Sequence, residues 1–137
     1  MRIVKYLWAA ALSMGVVLIF CSLSSFVGVY LGGRERTLTL NLLWGADYAC
    51  ITAAMTRLAV KGRWRTYFAC IALLILYIFR RAATAAGADI APAIMVVISV
   101  YSAFICFFAS KEGLGGILFF PVVLWHIYLS GQMLGLF

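Results

Sequence analysis

The feature that most restricts the fold of this chain is an uncharged, mostly apolar run that extends from Tyr6 to Gly33. A helix that crosses a membrane needs about 20 such residues, each adding about 1.5 Å of length. The segment from Met1 to Lys5 is basic, as in secretory signal peptides, but the apolar core of a signal peptide has only about 7–15 residues. The run is therefore predicted to be a retained first transmembrane helix.

The remaining sequence is almost as apolar. Hydrophobic residues make up 66% of the 137 residues and charged residues 11%, whereas soluble domains carry about 25% charged residues. So few charges cannot cover a surface that faces water, which excludes a soluble fold. We predict an all-α, polytopic transmembrane helical bundle that forms a single domain over residues 1–137, without a soluble domain.

Charged and glycine-rich segments divide the sequence into five predicted membrane-spanning helices. They cover residues 6–31, 38–60, 64–86, 90–110 and 117–137. The second is the least hydrophobic, since it contains Asn41, Asp47 and Arg57. If that segment lay along the membrane surface or re-entered the membrane, the chain would have four spans instead of five.

Basic residues are distributed unequally between the two ends of these spans. The N-terminal side would hold seven of them, namely Arg2, Lys5, Arg57, Lys61, Arg63, Arg65 and Lys111. The other side would hold four, namely Arg34, Arg36, Arg80 and Arg81. Because cytoplasmic segments are enriched in lysine and arginine, the count predicts a multi-pass protein of the bacterial inner membrane with a cytoplasmic N-terminus.

The densest cluster of charge is formed by Arg57, Lys61, Arg63 and Arg65. In a soluble protein, the net charge of +7 would suggest nucleic acid as a partner. Here the basic residues stand at the ends of apolar runs, so we predict no nucleic-acid binding and contact with anionic lipid headgroups instead. Docking of an acidic soluble partner is the alternative.

Two stripes of small residues predict close contacts between helices. They are Ser24, Gly28 and Gly32 on the first helix, and Gly45, Ala49 and Ala53 on the second. The stripes can serve packing within one subunit or form a seam between subunits. Because five short helices enclose little interior, we expect a homo-oligomer or docking to other membrane subunits.

Asp47 is the one carboxylate well inside a predicted span, about 15 Å from the end of that span at Thr37. A charge at that depth costs about 2.5–3.5 kcal/mol. The side chain must therefore be protonated, paired or in contact with water. It is predicted to be either a proton or cation site or a polar contact to a neighbouring helix.

His126 is the only histidine, and it also lies near the middle of its predicted span. Because the two residues share a depth, a contact between His126 and Asp47 could relay a proton. A haem group would need a second axial ligand, for which the same helix offers only Met133. We therefore predict ion or proton sites at these two residues and no cofactor.

Enzyme motifs are missing from the sequence, which has no GxSxG, HExxH or P-loop pattern. The four cysteines, Cys21, Cys50, Cys70 and Cys106, lie in apolar stretches without the spacing of metal ligands. We predict that the chain is not an enzyme and binds no metal.

Together these features predict a small integral membrane subunit that oligomerises or docks into a larger membrane complex. It would form or support a path for ions or a small solute, with Asp47 and His126 as the candidate sites. One alternative is a non-catalytic structural or accessory subunit of a membrane assembly. Another is a membrane protein of the lysis or immunity type.

Overall fold

The computed structural model describes residues 2–31, 38–87, 89–111 and 113–136, which form an all-helical bundle. Its helices are α1 (Arg2–Tyr30), α2 (Leu38–Val60), α3 (Trp64–Ala85), α4 (Ala91–Ser110) and α5 (Leu114–Met133). The prediction of an all-α bundle is confirmed. Among these described helices, α1, α3, α4 and α5 are long and apolar enough to cross a membrane, which supports a membrane location. Large apolar side chains such as Phe26, Phe104 and Ile117 are exposed around the bundle, where lipid can cover them.

The second helix is as long as the others, at 23 residues, but less apolar. It packs against α1, α3 and α5, and its buried residues extend from Trp44 to Ala59. Near one end, the Arg57 guanidinium donates a hydrogen bond to the Tyr6 hydroxyl of α1. Near the other end, Trp44 lies under Arg80, close to the end of α3. α2 is therefore an integral part of the bundle, while the number of membrane passes, five or four, stays a prediction.

Successive helices alternate in direction. The contact between Arg57 and Tyr6 joins the end of α2 to the start of α1. At the opposite end of the bundle, the Arg81 side chain lies against Gly28, which joins the end of α3 to the end of α1. We call the end that contains Arg2, Lys5, Arg57, Lys61, Arg63, Arg65 and Lys111 the basic end.

Two helices begin earlier than predicted. α1 starts at Arg2 instead of residue 6 and measures 29 residues, or about 44 Å, so its first turn extends beyond the apolar core of a membrane, which is about 30 Å thick. α5 starts at Leu114 instead of residue 117. The glycine-rich segment before residue 117 had been interpreted as a turn, but Gly116 belongs to α5 and is buried. α4 approaches it so closely that there is no room for a side chain.

The end of α5 also differs from the prediction, which placed it at residue 137. The helix ends at Met133, and Gly135 follows with φ 76°. The amide of Leu136 donates to the carbonyl of Gly131 at 2.9 Å. This is a Schellman motif, in which a glycine in the left-handed region closes the helix.

The two stripes of small residues have different environments. Ser24 and Gly28 are buried, whereas Gly32 lies outside the described residues. On α2, Gly45 and Ala49 are exposed and Ala53 is half-buried. A Cβ atom at Gly45 would meet nothing within 4 Å. The interpretation that this stripe packs within the subunit is therefore wrong for Gly45 and Ala49, because α2 buries the face that contains Trp44, Asp47, Ile51, Ala54, Met55 and Leu58. A seam between subunits stays a prediction.

Candidate functional site

The structure brings Asp47 of α2 and His126 of α5 together. Nε2 of His126 lies 3.7 Å from Oδ1 of Asp47. Asp47 is 5% exposed and His126 0%. The two residues that share a depth are therefore in contact, while the relay of a proton between them stays a prediction.

Tyr77 of α3 links these two residues. Its hydroxyl donates to Oδ2 of Asp47 at 2.7 Å and is also hydrogen-bonded to Nε2 of His126. By helix rise, all three residues lie about 11–14 Å from the same end of the bundle. One buried hydroxyl thus connects α2, α3 and α5 near the middle of the bundle.

Serines of α4 extend this network on the other side of His126. Oγ of Ser102 lies 2.9 Å from Nδ1 of His126 and donates to the backbone carbonyl of Ser99 at 2.9 Å. Oγ of Ser99 lies 2.6 Å from Oγ of Ser130, which also donates to the carbonyl of Met95 at 3.2 Å. The polar side chains therefore continue from the middle of the bundle towards the end opposite the basic end.

The hydrogen bonds of this network accommodate a proton on either Asp47 or His126. In one arrangement, a protonated Asp47 donates to the Tyr77 oxygen, and the Tyr77 hydroxyl donates to Nε2 of a neutral His126. In the other, Tyr77 donates to the Asp47 carboxylate, and a positively charged His126 donates from Nε2 to the Tyr77 oxygen. In both, Nδ1–H of His126 donates to Ser102, which donates to the Ser99 carbonyl.

These two arrangements differ by the net transfer of one proton. The Asp47 hydroxyl gives its proton to the Tyr77 oxygen, while the Tyr77 hydroxyl gives its own to His126. No hydrogen bond is lost, and no heavy atom has to move far. The chain of groups therefore has the geometry of a proton relay.

Arg80 and Trp44 lie beside the relay. The Arg80 guanidinium carbon is 4.6 Å from the centre of the Trp44 ring, and the ring meets Tyr77 edge-on at 5.5 Å. The charge count had assigned Arg80 to the outer membrane surface. Instead, Arg80 is buried, and its guanidinium lies over the face of the Trp44 ring, which attracts a cation.

A crevice between α2 and α5 opens beside Asp47. It encloses about 180 Å³ and is lined by Leu43, Ala46, Asp47, Cys50, Pro121 and Trp125. Within the described residues, Oδ1 of Asp47 and Nε1 of Trp125 are buried without a hydrogen-bond partner. Both atoms are buried behind the wall of the crevice, so water in the crevice would bind them only after a small opening of that wall. The crevice is therefore the candidate entrance to the relay.

Cys50 provides a native probe of this crevice. Thiol reagents attack the thiolate, which forms only where water reaches the sulfur. In a variant that keeps Cys50 as its one cysteine, we expect N-ethylmaleimide to react at least about tenfold faster than in the variant that keeps the fully buried Cys70. Equal rates, measured by mass spectrometry in membranes, would mean that the crevice is dry.

The predicted basic cluster is divided by the fold. Arg57 is half-buried and contacts Tyr6, with its guanidinium carbon 6.0 Å from the centre of the ring. Lys61 is exposed. Arg63 and Arg65 line a cavity that also includes Lys111. The residues that are adjacent in sequence therefore face different neighbours.

The sequence interpretation missed Tyr77, Ser99 and Ser102. A signal for the serines was present, since they are spaced three residues apart in an otherwise apolar helix and therefore share a face. Tyr77 stands alone in the middle of its span, unlike the tyrosines near span ends, which anchor helices at the membrane surface. A polar group in the middle of a membrane span needs a hydrogen-bond partner. This requirement could have identified Tyr77, Ser99 and Ser102 as members of a buried network.

No protein-family model, curated protein or solved structure matches this chain. Among the described residues, no group of three or more His, Cys, Asp and Glu side chains could hold a metal ion. The buried network is therefore the feature from which a function can be inferred.

Proposed function

We propose that this chain is a small membrane subunit that passes protons across the bilayer, or supports their passage, through Asp47, Tyr77 and His126. The observation that carries the proposal is that the Tyr77 hydroxyl is hydrogen-bonded to both Oδ2 of Asp47 and Nε2 of His126. This geometry allows both proton arrangements described above. A path for another small cation would use the same carboxylate. The chain acts without catalysing a covalent reaction.

Access to the relay supports this proposal. On one side, Asp47 lines the crevice between α2 and α5, with its unpaired oxygen buried behind the wall. On the other, the hydrogen-bonded pair Ser99 and Ser130 extends to three residues before the end of α5. Ser102 donates to the Ser99 backbone carbonyl, so a water molecule would have to carry the proton from Ser102 to this pair. Protons would enter at the crevice, cross the Tyr77 hydroxyl and leave along the α4–α5 interface.

The orientation and assembly of the subunit are parts of the same proposal. Seven basic residues at the basic end favour the cytoplasmic side of a bacterial inner membrane for that end, and with it a cytoplasmic N-terminus. The open face at Gly45 and Ala49 would contact another copy of the chain or another membrane subunit. Close approach of helices at small residues is the usual basis of such contacts.

A structural accessory subunit is the second candidate. The hydrogen bonds between the serines and the backbone carbonyls favour it, because they fasten α4 to α5. In that case the polar residues would specify helix contacts and carry no proton. Flux measurements separate the two candidates.

The test is proton flux into vesicles that contain the purified protein and a pH-sensitive dye. Asp47→Asn keeps the size of the side chain but removes the group that holds the proton, so we expect flux to fall about tenfold or more. Asp89→Asn is the matched control, because Asp89 is exposed and distant in sequence from the relay. If Asp47→Asn showed the same proton flux as the control, with helical content unchanged, the result would contradict the proton path and favour the structural subunit.

A further inference from the structure

A cavity lies at the basic end, between the start of α3 and the end of α4. It encloses about 660 Å³. We call it the basic cleft. Its mouth is formed by Arg63, Arg65 and Lys111, and its floor by apolar side chains.

The turn between α2 and α3 creates the mouth of this cleft. Gly62 has φ 70°, and the amide of Arg63 donates to the carbonyl of Leu58 at 2.9 Å. This Schellman motif ends α2 and lets α3 begin at Trp64. No side chain caps the start of α3, so the first amides of the helix are available to an anion. Thr66, one turn into the helix, also lines the cleft.

The charges of the mouth all have the same sign. Arg63, Arg65 and Lys111 are exposed and line the same cavity. The Lys111 ammonium is held near the rings of Phe107 and Phe108, at 5.5 and 5.2 Å from their centres. Among the described residues, no carboxylate lines the cleft. Three basic side chains and the N-terminus of α3 therefore surround the basic cleft, and none of the described lining residues neutralises their charge.

The floor of the cleft is apolar. It is formed by Ala69 of α3 and by Ile105 and Phe108 of α4. Deeper between the two helices, the Tyr101 hydroxyl donates to the carbonyl of Ala69 at 3.0 Å and closes the gap. Phe108 is 48% exposed, so the floor continues onto the lipid-facing surface.

We propose that the basic cleft binds one anionic phospholipid. The phosphate lies among the three basic side chains at the start of α3, and one acyl chain follows the apolar floor. The start of α3 and the end of α4 would lie at the depth of the lipid headgroups. The basic mouth would then face the headgroup of a phospholipid, and the apolar floor would face its acyl chains. This site does not depend on the proposed passage of protons.

The test compares lipid retention by the wild type and matched variants. Each protein is equilibrated with detergent micelles that contain equal amounts of phosphatidylglycerol and phosphatidylcholine, and native mass spectrometry counts the bound lipids. We expect the wild type to retain one phosphatidylglycerol. Arg65→Ala and Lys111→Ala should each weaken retention about fivefold. Lys61→Ala removes the same charge from an exposed position that does not line the cleft, and should leave retention unchanged.

A second variant tests the apolar floor without changing the charge. Ala69→Leu fills part of the floor, so we expect it to weaken retention of phosphatidylglycerol as well. Helical content and thermal midpoint, measured by circular dichroism, must match the wild type in every variant that is compared.

Several outcomes would overturn the lipid site. An equal loss in Lys61→Ala and Arg65→Ala would reveal diffuse attraction to surface charge. Equal retention of phosphatidylcholine would remove the role of the headgroup charge. Full retention by Ala69→Leu, or displacement of the lipid by an equal concentration of inorganic phosphate, would show a site for a free anion without a place for an acyl chain.

Discussion

Replacing Tyr77 by phenylalanine is expected to lower the free energy of unfolding by about 2–6 kcal/mol, although the change removes only one oxygen atom. The hydroxyl is the hydrogen-bond partner of both Oδ2 of Asp47 and Nε2 of His126. Its loss leaves two buried polar groups without that bond, and each such group costs about 1–3 kcal/mol. The aromatic ring itself keeps its edge-on contacts with Trp44 and Tyr48.

The measurement is equilibrium unfolding in detergent, followed by circular dichroism. Tyr101→Phe is the matched control, because it also removes one tyrosine hydroxyl, here from a bond to the Ala69 carbonyl at the edge of α3 and α4. That carbonyl is part of a helix, so we expect a loss of about 1 kcal/mol or less. If Tyr77→Phe cost no more than this control, Asp47 and His126 would satisfy each other directly, and the tyrosine would not be the link between them.

A second large effect is expected at Gly116, where even alanine should destabilise the protein by about 2 kcal/mol. A Cβ atom there would lie 2.6 Å from the Cα of Ser110. The obstacle is backbone, so a change of side-chain rotamer cannot relieve it. α4 and α5 share the most extensive interface of any two described helices, and they are joined by a short turn at Gly113, which has φ 100°. The two helices would have to separate.

Gly45→Ala is the matched control, and its expected effect has the opposite sign. Both glycines lie inside helices, and alanine favours a helix by about 1 kcal/mol over glycine. Around Gly45 a Cβ atom meets nothing within 4 Å, so the substitution should leave stability unchanged or raise it slightly. Unfolding of both variants in the same detergent checks this. If Gly45→Ala and Gly116→Ala lowered the free energy of unfolding by the same amount, the result would contradict the packing of α4 against α5.

The two glycines show what polarity patterns cannot reveal in this chain. In a soluble protein, the sequence of a helix identifies its buried face, because polar residues occupy the face that contacts water. Here lipid is as apolar as the interior of the bundle, so a helix can rotate about its axis without exposing an unfavourable surface. The stripe at Gly45 and Ala49 therefore predicted close packing but could not specify the neighbouring helix, and both residues are exposed on the subunit.

The sequence by itself determined the all-α class, the five helices and the position of each polar residue along its helix. Long apolar runs between charges leave no other fold, and the constant rise of a helix converts sequence position into depth. That is why a contact between Asp47 and His126 could be considered from two positions far apart in the chain.

Only the tertiary structure decided how the helices are rotated and which groups meet. It placed Tyr77 between Asp47 and His126, turned Arg80 inward onto Trp44, and separated Arg57 from the basic cleft. These choices depend on the fit of side chains between neighbouring helices and on the pairing of buried polar groups. Such contacts involve several helices at once, so no single stretch of the sequence contains them.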